Sequence, residues 1–289
     1  MFLEVLFNGI SLGTLYCLIT VGFAFTYNVA RFFDISQGAA FLFGGYLGYQ
    51  AVNVWHMGLF PGFLLALFGS GVFGAVVDLA LITPLRKRAA TPLVLFIATL
   101  GLLMLTQSLL AFHFGSDTKV YESGASLTVT IGNISVSQNQ IRIAISAFAL
   151  IMLTLLSVRL TAFGRRIRAI ADSQTLSAVV GIPVKKVIFM VFIFASALSG
   201  IGGFFFGLDK TIDPNSGMSA VLVAMIASII GGVGNILGAI AGALVLGIMG
   251  SIVQFYLPGE WKYTTIFIIF IIFAAVRKQG ILGIEYRST

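Results

Sequence analysis

Nine apolar segments separated by shorter polar stretches run through the whole chain. They lie at roughly residues 5–27, 38–54, 59–82, 92–112, 141–158, 187–208, 218–230, 238–257 and 261–276. A helix needs about 20 apolar residues to cross the hydrocarbon core of a bilayer, and the second and seventh segments are shorter than that. The pattern predicts an all-α polytopic membrane protein, a single domain over residues 1–289. It predicts eight to nine transmembrane helices, some of them short, tilted, broken or re-entrant.

The composition excludes a soluble domain. Hydrophobic residues make up 58% of the chain and charged residues 9%, whereas soluble domains carry about 25% charged residues. The first residues, MFLEVLFNGI, lack a basic stretch and include Glu4, so we expect a retained helix rather than a cleaved signal peptide. Cys17 is the only cysteine, which excludes a disulfide within the chain.

Basic residues between the apolar segments predict the orientation of the chain. Arg86–Arg88 follow the third segment, six of the 17 Lys and Arg residues lie within 159–186, and Arg277 and Lys278 follow the ninth segment. Because basic loops stay on the cytoplasmic side, the N-terminus is expected outside and the C-terminus in the cytoplasm. Residues 159–186 then form a cytoplasmic loop.

Residues 113–140 form the longest loop predicted on the opposite, extracytoplasmic side. Within it, SLTVTI and ISVS alternate polar and apolar residues around Gly132 and Asn133, a pattern typical of a β-hairpin. Two interpretations have equal weight. The loop is either a docking surface for an extracytoplasmic partner or a lid over the helix ends.

The sequence contains no recognisable catalytic set, and it predicts no cofactor and no metal site. The G-x-x-x-x-G-K-[ST] sequence of ATPases is absent, and His56 and His113 are isolated. Asp78 is the only carboxylate that we place inside an apolar segment, and contact with Arg86–Arg88 or the interface is favoured over an ion pathway. The shortage of buried ionisable groups weakens the hypothesis of an ion-coupled transporter.

Small residues recur at helical spacing in two parts of the chain. Such stripes allow helix backbones to approach closely, so they predict a large helix–helix interface, within the bundle or with a second membrane subunit. The stripes comprise Gly9, Gly13, Cys17, Thr20 and Ala24 in the first segment, and Gly234, Gly238 and Gly242 with Ala239, Ala243, Gly247 and Gly250 near the eighth.

Two sets of residues are candidates for a translocation path. The glycine-rich stretch IGGVGNILG at 230–238 predicts either irregular backbone that lines a cavity or a simple turn between two helices. Polar residues in the first two segments can line a path for a small polar solute, although hydrogen bonding between helices explains most of them equally well. The candidates are Asn8, Ser11, Thr14, Tyr16, Thr20, Tyr27, Ser36, Gln37, Gly231, Gly232, Gly234 and Asn235.

Five blocks, in the expected order over nearly the whole length, resemble the permease subunits of branched-chain amino acid ABC transporters, a family that includes urea-type and amide-type permeases. The blocks are NGISLGTLYCLITVGFAFTYNVARFFDISQG, ITPLRKRAATPLVLFIATLG, TAFGRRIRAIADSQTLSAVVGIPVKK, IIGGVGNILGAIAGALVLG and RKQGILG.

The resemblance implies that residues 159–186 form a coupling loop of short helices seated in a cleft of a cytoplasmic ATPase. The matching residues are Gly164, Arg165, Arg168, Ala171, Ala178 and Gly181. It also implies a bacterial inner-membrane location and three kinds of partner: a second permease subunit, homologous or identical, two ATPase subunits and an extracytoplasmic solute-binding protein.

The chain departs from the family pattern at a few positions. It has Gln37 where a His is common, Ala39 and Ala40 where an acidic residue is frequent, and Lys278 in place of a Pro. The resemblance therefore leaves the substrate open among branched-chain amino acids, urea, amides and other small solutes. The alternative function is a stand-alone secondary transporter or channel, and an integral membrane enzyme ranks third.

Overall fold

The computed structural model describes residues 2–121, 128–131, 134–256, 261–276 and 280–281. Almost all of these residues are helical, and a two-stranded antiparallel hairpin is the exception. The elements are α1 (Phe2–Ala30), α2 (Ser36–Tyr49), α3 (Leu59–Val77), α4 (Thr83–Lys87), α5 (Pro92–Phe114), β1 (Thr128–Ile131), β2 (Ile134–Ser137), α6 (Gln138–Leu160), α7 (Ala162–Asp172), α8 (Gln174–Val179), α9 (Val184–Asp209), α10 (Ser216–Gly231), α11 (Ile236–Tyr256) and α12 (Trp261–Val276).

Each of the nine predicted apolar segments contains a helix, which confirms the helical prediction. Within the described residues, six helices are long and apolar enough to cross a membrane: Glu4–Ala30, Leu59–Lys87, Pro92–Phe114, Gln138–Leu160, Val184–Asp209 and Ile236–Tyr256. A π-helical stretch, Gln50–Val54, continues α2, and another, Asp78–Ile82, joins α3 to α4. The helices from the second and seventh segments, α2 and α10, are short, as predicted.

The hairpin and the basic segment, as we call residues 159–186, lie at opposite ends of the helix bundle. β2 leads directly into α6, and α6 leads into α7 and α8, so a full-length helix separates the two. We call the end at β1 and β2 the hairpin end and the end at α7 and α8 the basic end. The predicted hairpin is confirmed, with Ile131 paired to Ile134. Its predicted turn, residues 132–133, lies outside the described residues.

Each of the two loops predicted at these ends lies between helices whose ends differ from the predicted bounds by two or three residues. The loop predicted at 113–140 begins only after α5 ends at Phe114 and stops before α6 begins at Gln138. The loop predicted at 159–186 begins after α6 ends at Leu160, contains α7 and α8, and stops where α9 begins at Val184. Helix continuation past the last apolar residue accounts for both differences, because polar residues at the boundary can extend a helix.

The central helix is α9, which packs against α1, α2 and α3. Its Gly200 lies between Gly44 of α2 and Ser70 of α3, and a Cβ atom on Gly200 would overlap the Ser70 side chain. On the other side of the bundle, a Cβ atom on Gly13 of α1 would lie 3.0 Å from the Leu244 Cα atom of α11. The small-residue stripe of α1 is therefore a packing surface within the bundle.

The first three helices and α9–α11 repeat one arrangement in opposite directions. The contact between α1 and α11 corresponds to the contact between α9 and α3. The contact between α2 and α9 corresponds to the contact between α10 and α1. α1 ends at the basic end, whereas α9 begins there. This is an inverted repeat, a construction that places the starts of two short helices near one another at the centre of many transporters.

We expect Gly200→Leu to destabilise the fold, because the added side chain has no space between α2, α3 and α9. Overpacking of this kind costs about 1–3 kcal/mol. A matched control is Gly101→Leu in α5, where an added Cβ atom meets nothing within 4 Å. Thermal unfolding of the purified chain is monitored by size-exclusion chromatography. The midpoint temperature should be lower for Gly200→Leu and unchanged for Gly101→Leu. Equal midpoints would contradict the packing argument.

Candidate functional site

The end of α1 lies directly against the basic segment. The Gln174 Nε2 atom of α8 donates a hydrogen bond of 2.6 Å to the Val29 carbonyl oxygen. The Arg31 guanidinium donates to the Ala171 carbonyl oxygen of α7. Arg31 has a φ of +57°, in the left-handed region where a chain can reverse sharply. Residues 29–31 therefore join α1 to α7 and α8 and turn the chain back into the bundle.

After this reversal the chain enters the bundle without helical structure and starts α2 deep inside. The Ser199 hydroxyl donates a hydrogen bond of 2.8 Å to the Gln37 Oε1 atom, and Ser199 is close to the middle of α9, Val184–Asp209. The Ile35 backbone N–H donates to the Thr99 Oγ1 atom at 3.3 Å. Gln37 thus lies near mid-depth, so residues 31–35 are a non-helical stretch that leads from the basic end to the start of α2 inside the bundle.

The Asp34 side chain supplies hydrogen-bond acceptors at the start of α2, where backbone N–H groups have no partner within the helix. Its Oδ1 atom accepts hydrogen bonds from the Ser36 backbone N–H, at 3.0 Å, and from the Ser36 hydroxyl, and its Oδ2 atom accepts from Gln37 Nε2 at 2.9 Å. Asp34 is fully buried. The positive end of the helix dipole and these donors offset the cost of burying a carboxylate.

A second non-helical stretch enters the bundle from the hairpin end and leads into α10. Ile212 and Lys119 exchange backbone hydrogen bonds of 2.8 and 3.0 Å, and α10 begins four residues later at Ser216. The Asp213 Oδ1 atom accepts from the Asn215 backbone N–H at 2.7 Å, and Oδ2 accepts from the Ser216 hydroxyl at 2.9 Å. The Asp213 carboxylate therefore accepts hydrogen bonds at the start of α10, as the Asp34 carboxylate does at the start of α2.

The two short helices meet at a pair of glycines. A Cβ atom on Gly38 would lie 2.6 Å from the Gly217 carbonyl oxygen, and the reverse distance is also 2.6 Å. Only glycine permits this contact between the two backbones. We call Asp34–Gly38 and Asp213–Gly217 the crossing core. It places two positively polarised helix starts side by side within an apolar bundle.

Sequence reasoning missed most of the crossing core, although it selected Ser36 and Gln37. The prediction that Asp78 is the only carboxylate within the apolar part of the bundle is wrong, because Asp34 is fully buried. The two stretches DISQG and DPNSG share Asp and Gly four residues apart, and that repeat could have revealed them. Asp78 is also buried, and its Oδ2 atom accepts a hydrogen bond of 3.1 Å from the Thr83 hydroxyl.

The other predicted path residues of α1 do not join this core. Asn8 lies towards the hairpin end, where its Oδ1 atom accepts a hydrogen bond of 2.8 Å from Gln140 Nε2. Ser11 and Tyr16 are buried within the bundle, on the same helix between Asn8 and the basic end.

The glycine-rich stretch forms a turn between α10 and α11 at the basic end. Gly232 and Gly234 have φ values of +108° and +91°, which side chains other than glycine rarely adopt. The Asn235 Oδ1 atom accepts from the Leu237 and Gly238 N–H groups at 3.0 and 3.2 Å, which caps the start of α11. Of the two interpretations, the structure supports the turn.

Tyr121 fastens the loop at the hairpin end to α2. The side chain is buried, and its hydroxyl donates to the Gly45 carbonyl oxygen. The ring lies edge-on to Tyr49 and Phe204, with centroid distances of 5.9 and 5.8 Å. Burial raises the pKa of Tyr121, so the hydroxyl remains a donor at neutral pH. The loop up to residue 121 is therefore anchored to the bundle.

The basic segment begins with a capped amphipathic helix. The Thr161 Oγ1 atom accepts from the Gly164 N–H at 3.2 Å, and a Cβ atom on Gly164 would overlap the Val158 carbonyl oxygen. Ile167 and Ile170 are buried against the bundle. The Arg168 guanidinium donates to the same Val158 carbonyl at 2.5 Å. Gly164 and Arg168 therefore fix α7 to α6.

The neighbouring α8 exposes apolar side chains. Leu176, Val179 and Val180 are 64%, 79% and 75% exposed, an unusual exposure for a group of large apolar residues beside charged ones. We call these three residues the α8 patch. Sequence reasoning did not select these three residues. It did select Ala178, which lies among them, and Gly181, which follows them and has a φ of +89°.

Comparisons with known proteins match nearly the whole length of the chain. The family model described as "Branched-chain amino acid transport system / permease component" matches residues 5–274. The high-affinity branched-chain amino acid transport system permease protein LivH of Escherichia coli (strain K12) is 27% identical over 98% of this chain and 96% of its own length. The corresponding permease protein BraD of Pseudomonas aeruginosa is 26% identical with the same coverage.

A more distant relative has a different named solute. The fructose import permease protein FruG of Bifidobacterium longum is 24% identical over 85% of this chain and 74% of its own length. No solved structure matches the chain. Since the family model covers nearly the whole bundle, the chain belongs to the branched-chain amino acid transport system permease family.

Proposed function

We propose that this chain is the transmembrane permease subunit of an ABC importer in the bacterial inner membrane. Its substrate is a branched-chain amino acid or a related small polar solute. The observation that carries the proposal is the family match over residues 5–274. The names of LivH and BraD support branched-chain amino acids, and the name of FruG supports a wider range of small polar solutes.

The proposed assembly has several other subunits. The chain has no G-x-x-x-x-G-K-[ST] sequence, so two cytoplasmic ATPase subunits supply ATP hydrolysis. A second permease, homologous or identical, completes the transmembrane part, and an extracytoplasmic solute-binding protein delivers the substrate. The anchored loop at the hairpin end, held by Tyr121, supports a docking role for that face.

The proposed topology has nine crossings within a single permease domain. The six long spans, α2 with Gln50–Val54, and the shorter α10 and α12 account for them. The N-terminus then lies outside and the C-terminus in the cytoplasm. The positive charges of the basic end support this orientation.

The proposed coupling site is the cytoplasmic surface of α7 and α8. The α8 patch supports it, because an exposed apolar group next to basic side chains suits a protein cleft. The coupling residues are Gly164, Arg165, Arg168, Ala171, Ala178 and Gly181.

The crossing core provides a route from coupling to transport. Gln174 of α8 holds Val29 at the end of α1, and eight residues further along the chain Gln37 hydrogen-bonds to Ser199 near the centre of α9. When ATP-driven closure moves α8, residues 29–37 transmit the displacement to the middle of the bundle. The helices then alternate between inward-open and outward-open arrangements. Ser36 and Gln37 are the proposed path residues within this core. The other proposed path residues lie further along the path, towards one end or the other: Asn8, Ser11, Tyr16, Gly231, Gly232, Gly234 and Asn235.

The direct test is uptake of leucine into proteoliposomes that contain the permeases, with and without the ATPase subunits and ATP. We expect uptake only with the complete set, a binding protein and ATP. An ion gradient should give no uptake in their absence. Gradient-driven uptake by the permease alone would favour the secondary transporter.

We expect Val179→Asp to reduce ATP-driven uptake at least tenfold, because a carboxylate in the α8 patch must lose its water when the ATPase covers it. Val179→Ile keeps the apolar surface and serves as the matched control. Co-purification of the ATPase subunits separates loss of docking from loss of the permease itself. Normal uptake by the Asp variant would contradict the assignment of this surface.

We expect Asp34→Ala to destabilise the permease by about 1–3 kcal/mol, because the Ser36 N–H and the Gln37 amide lose a buried acceptor. Asp213→Ala should have a similar effect. Asp117→Ala, at an exposed loop position, is the control. Thermal unfolding and uptake are measured on all three. Unchanged behaviour of the Asp34 variant would contradict the role of the crossing core.

A further inference from the structure

A cavity of about 440 Å³ opens at the basic end between the π-helical stretch Asp78–Ile82, α4, α8 and the start of α9. Neither the crossing core nor the α8 patch contributes to it. Its polar lining includes three cationic side chains together with hydroxyl groups and one carboxyl group. These residues are Asp78, Thr83, Arg86, Lys87, Thr175 and Lys185.

The cavity is positively charged overall. Among the described residues that line it, three cations face one anion, the Asp78 carboxylate, which already accepts a hydrogen bond from Thr83. Lys87 and Lys185 are exposed at the rim. An anionic ligand would therefore gain from the cations and would meet a carboxylate that has a hydrogen-bond partner of its own.

Arg86 is held in place before any ligand arrives. Its Nη2 atom donates a hydrogen bond of 2.7 Å to the Ala30 carbonyl oxygen, and its guanidinium lies over the Phe32 ring, 5.9 Å from the centroid. A guanidinium has five N–H donors, and its planar shape suits phosphate oxygens. A fixed guanidinium loses less entropy when it binds an anion than a free one does.

The cavity also lies at the level where lipid headgroups are found. Lys87 is the last residue of the span Leu59–Lys87, and Lys185 is the second residue of the span Val184–Asp209. Val184 and Ile188 supply apolar lining beside the charged groups. Basic pockets between helices at a membrane surface are suited to anionic headgroups, with the apolar lining next to the glycerol and acyl chains.

We propose that this cavity binds the phosphate group of an anionic phospholipid, with Arg86, Lys87 and Lys185 as its cationic contacts. The assignment to the cytoplasmic leaflet rests on the proposed orientation of the permease. Thr175 and Ala178 of α8 form part of the wall, so a bound lipid holds α8 against α4 and α9. The lipid is thereby part of the surface from which coupling begins.

The test is lipid binding by the purified full-length chain, measured by native mass spectrometry during titration with phosphatidylglycerol or phosphatidylcholine. We expect specific retention of phosphatidylglycerol. The double variant Lys87→Gln/Lys185→Gln should weaken it roughly thirtyfold, because each cation near an anionic lipid contributes a factor of about five. Arg88→Gln/Lys186→Gln removes the same charge from neighbouring positions that do not contribute to the described lining, and it should change binding less than threefold.

Three results would overturn the proposal. Equal weakening by the two double variants would mean that only the general surface charge attracts the lipid. Equal retention of the two lipids would remove the role of the anion. Displacement of phosphatidylglycerol by low-millimolar inorganic phosphate would identify a site for free phosphate. None of these measurements involves transport, so they are independent of the test of the proposed function.

Discussion

The fold depends on one constraint, that backbone N–H groups exposed inside an apolar bundle must find partners within the protein. A helix started at mid-depth leaves its first N–H groups without intrahelical partners. Asp34 and Asp213 solve the same problem twice, each by accepting the backbone N–H two residues further along the chain. Asp34 is fully buried at a cost, whereas Asp213 is half-buried, and each helix start stabilises the charge of its carboxylate.

Close contact between backbones is the second requirement of this arrangement. Gly38 and Gly217 bring the two helix starts together, and Gly44 and Gly200 bring α2 against α9. Water drives no association between helices in a bilayer, so van der Waals contact and hydrogen bonds must supply the stability. Glycine allows both, because a carbonyl oxygen or Cα atom of one helix can occupy the volume that a side chain would take.

The sequence predicted the helical architecture well, because apolar length is a strong and local property. It located nine segments, the hairpin and the two short helices. The sequence reasoning did not locate the crossing core, because the contact between Gly38 and Gly217 joins residues far apart in the chain and the shared Asp and Gly of DISQG and DPNSG were its one signal. Asp34 follows Phe32 and Phe33 beyond the end of the first apolar segment, so it resembles an ordinary loop residue until the return of the chain into the bundle is known.

The sequence also did not reveal which side chains of the basic segment are exposed in the structure. Gly164 is flexible and Arg168 is charged, and both properties suggest a functional residue in a sequence. In the structure both residues hold α7 on α6. Val179 and Val180 look like ordinary core residues but lie at the surface. A six-residue helix has too few positions to reveal which side faces the bundle, so periodicity gives no answer there.

In the proposed coupling mechanism, the inverted repeat gives a signal at one end of the bundle a route to its centre. In a continuous helix, a push on the end of α1 would be spread along many packed turns. Here the chain leaves α1 at Ala30 and reaches Ser36 through residues without helical structure, and Arg86 holds the Ala30 carbonyl from α4. The connection is short and packed, with Phe32, Asp34 and Ile35 buried, and it ends at the hydrogen bond from Ser199 to Gln37. Because α10 starts against the same point from the other side, a displacement of α2 changes the contact between Gly38 and Gly217 and so acts on both halves of the repeat at once.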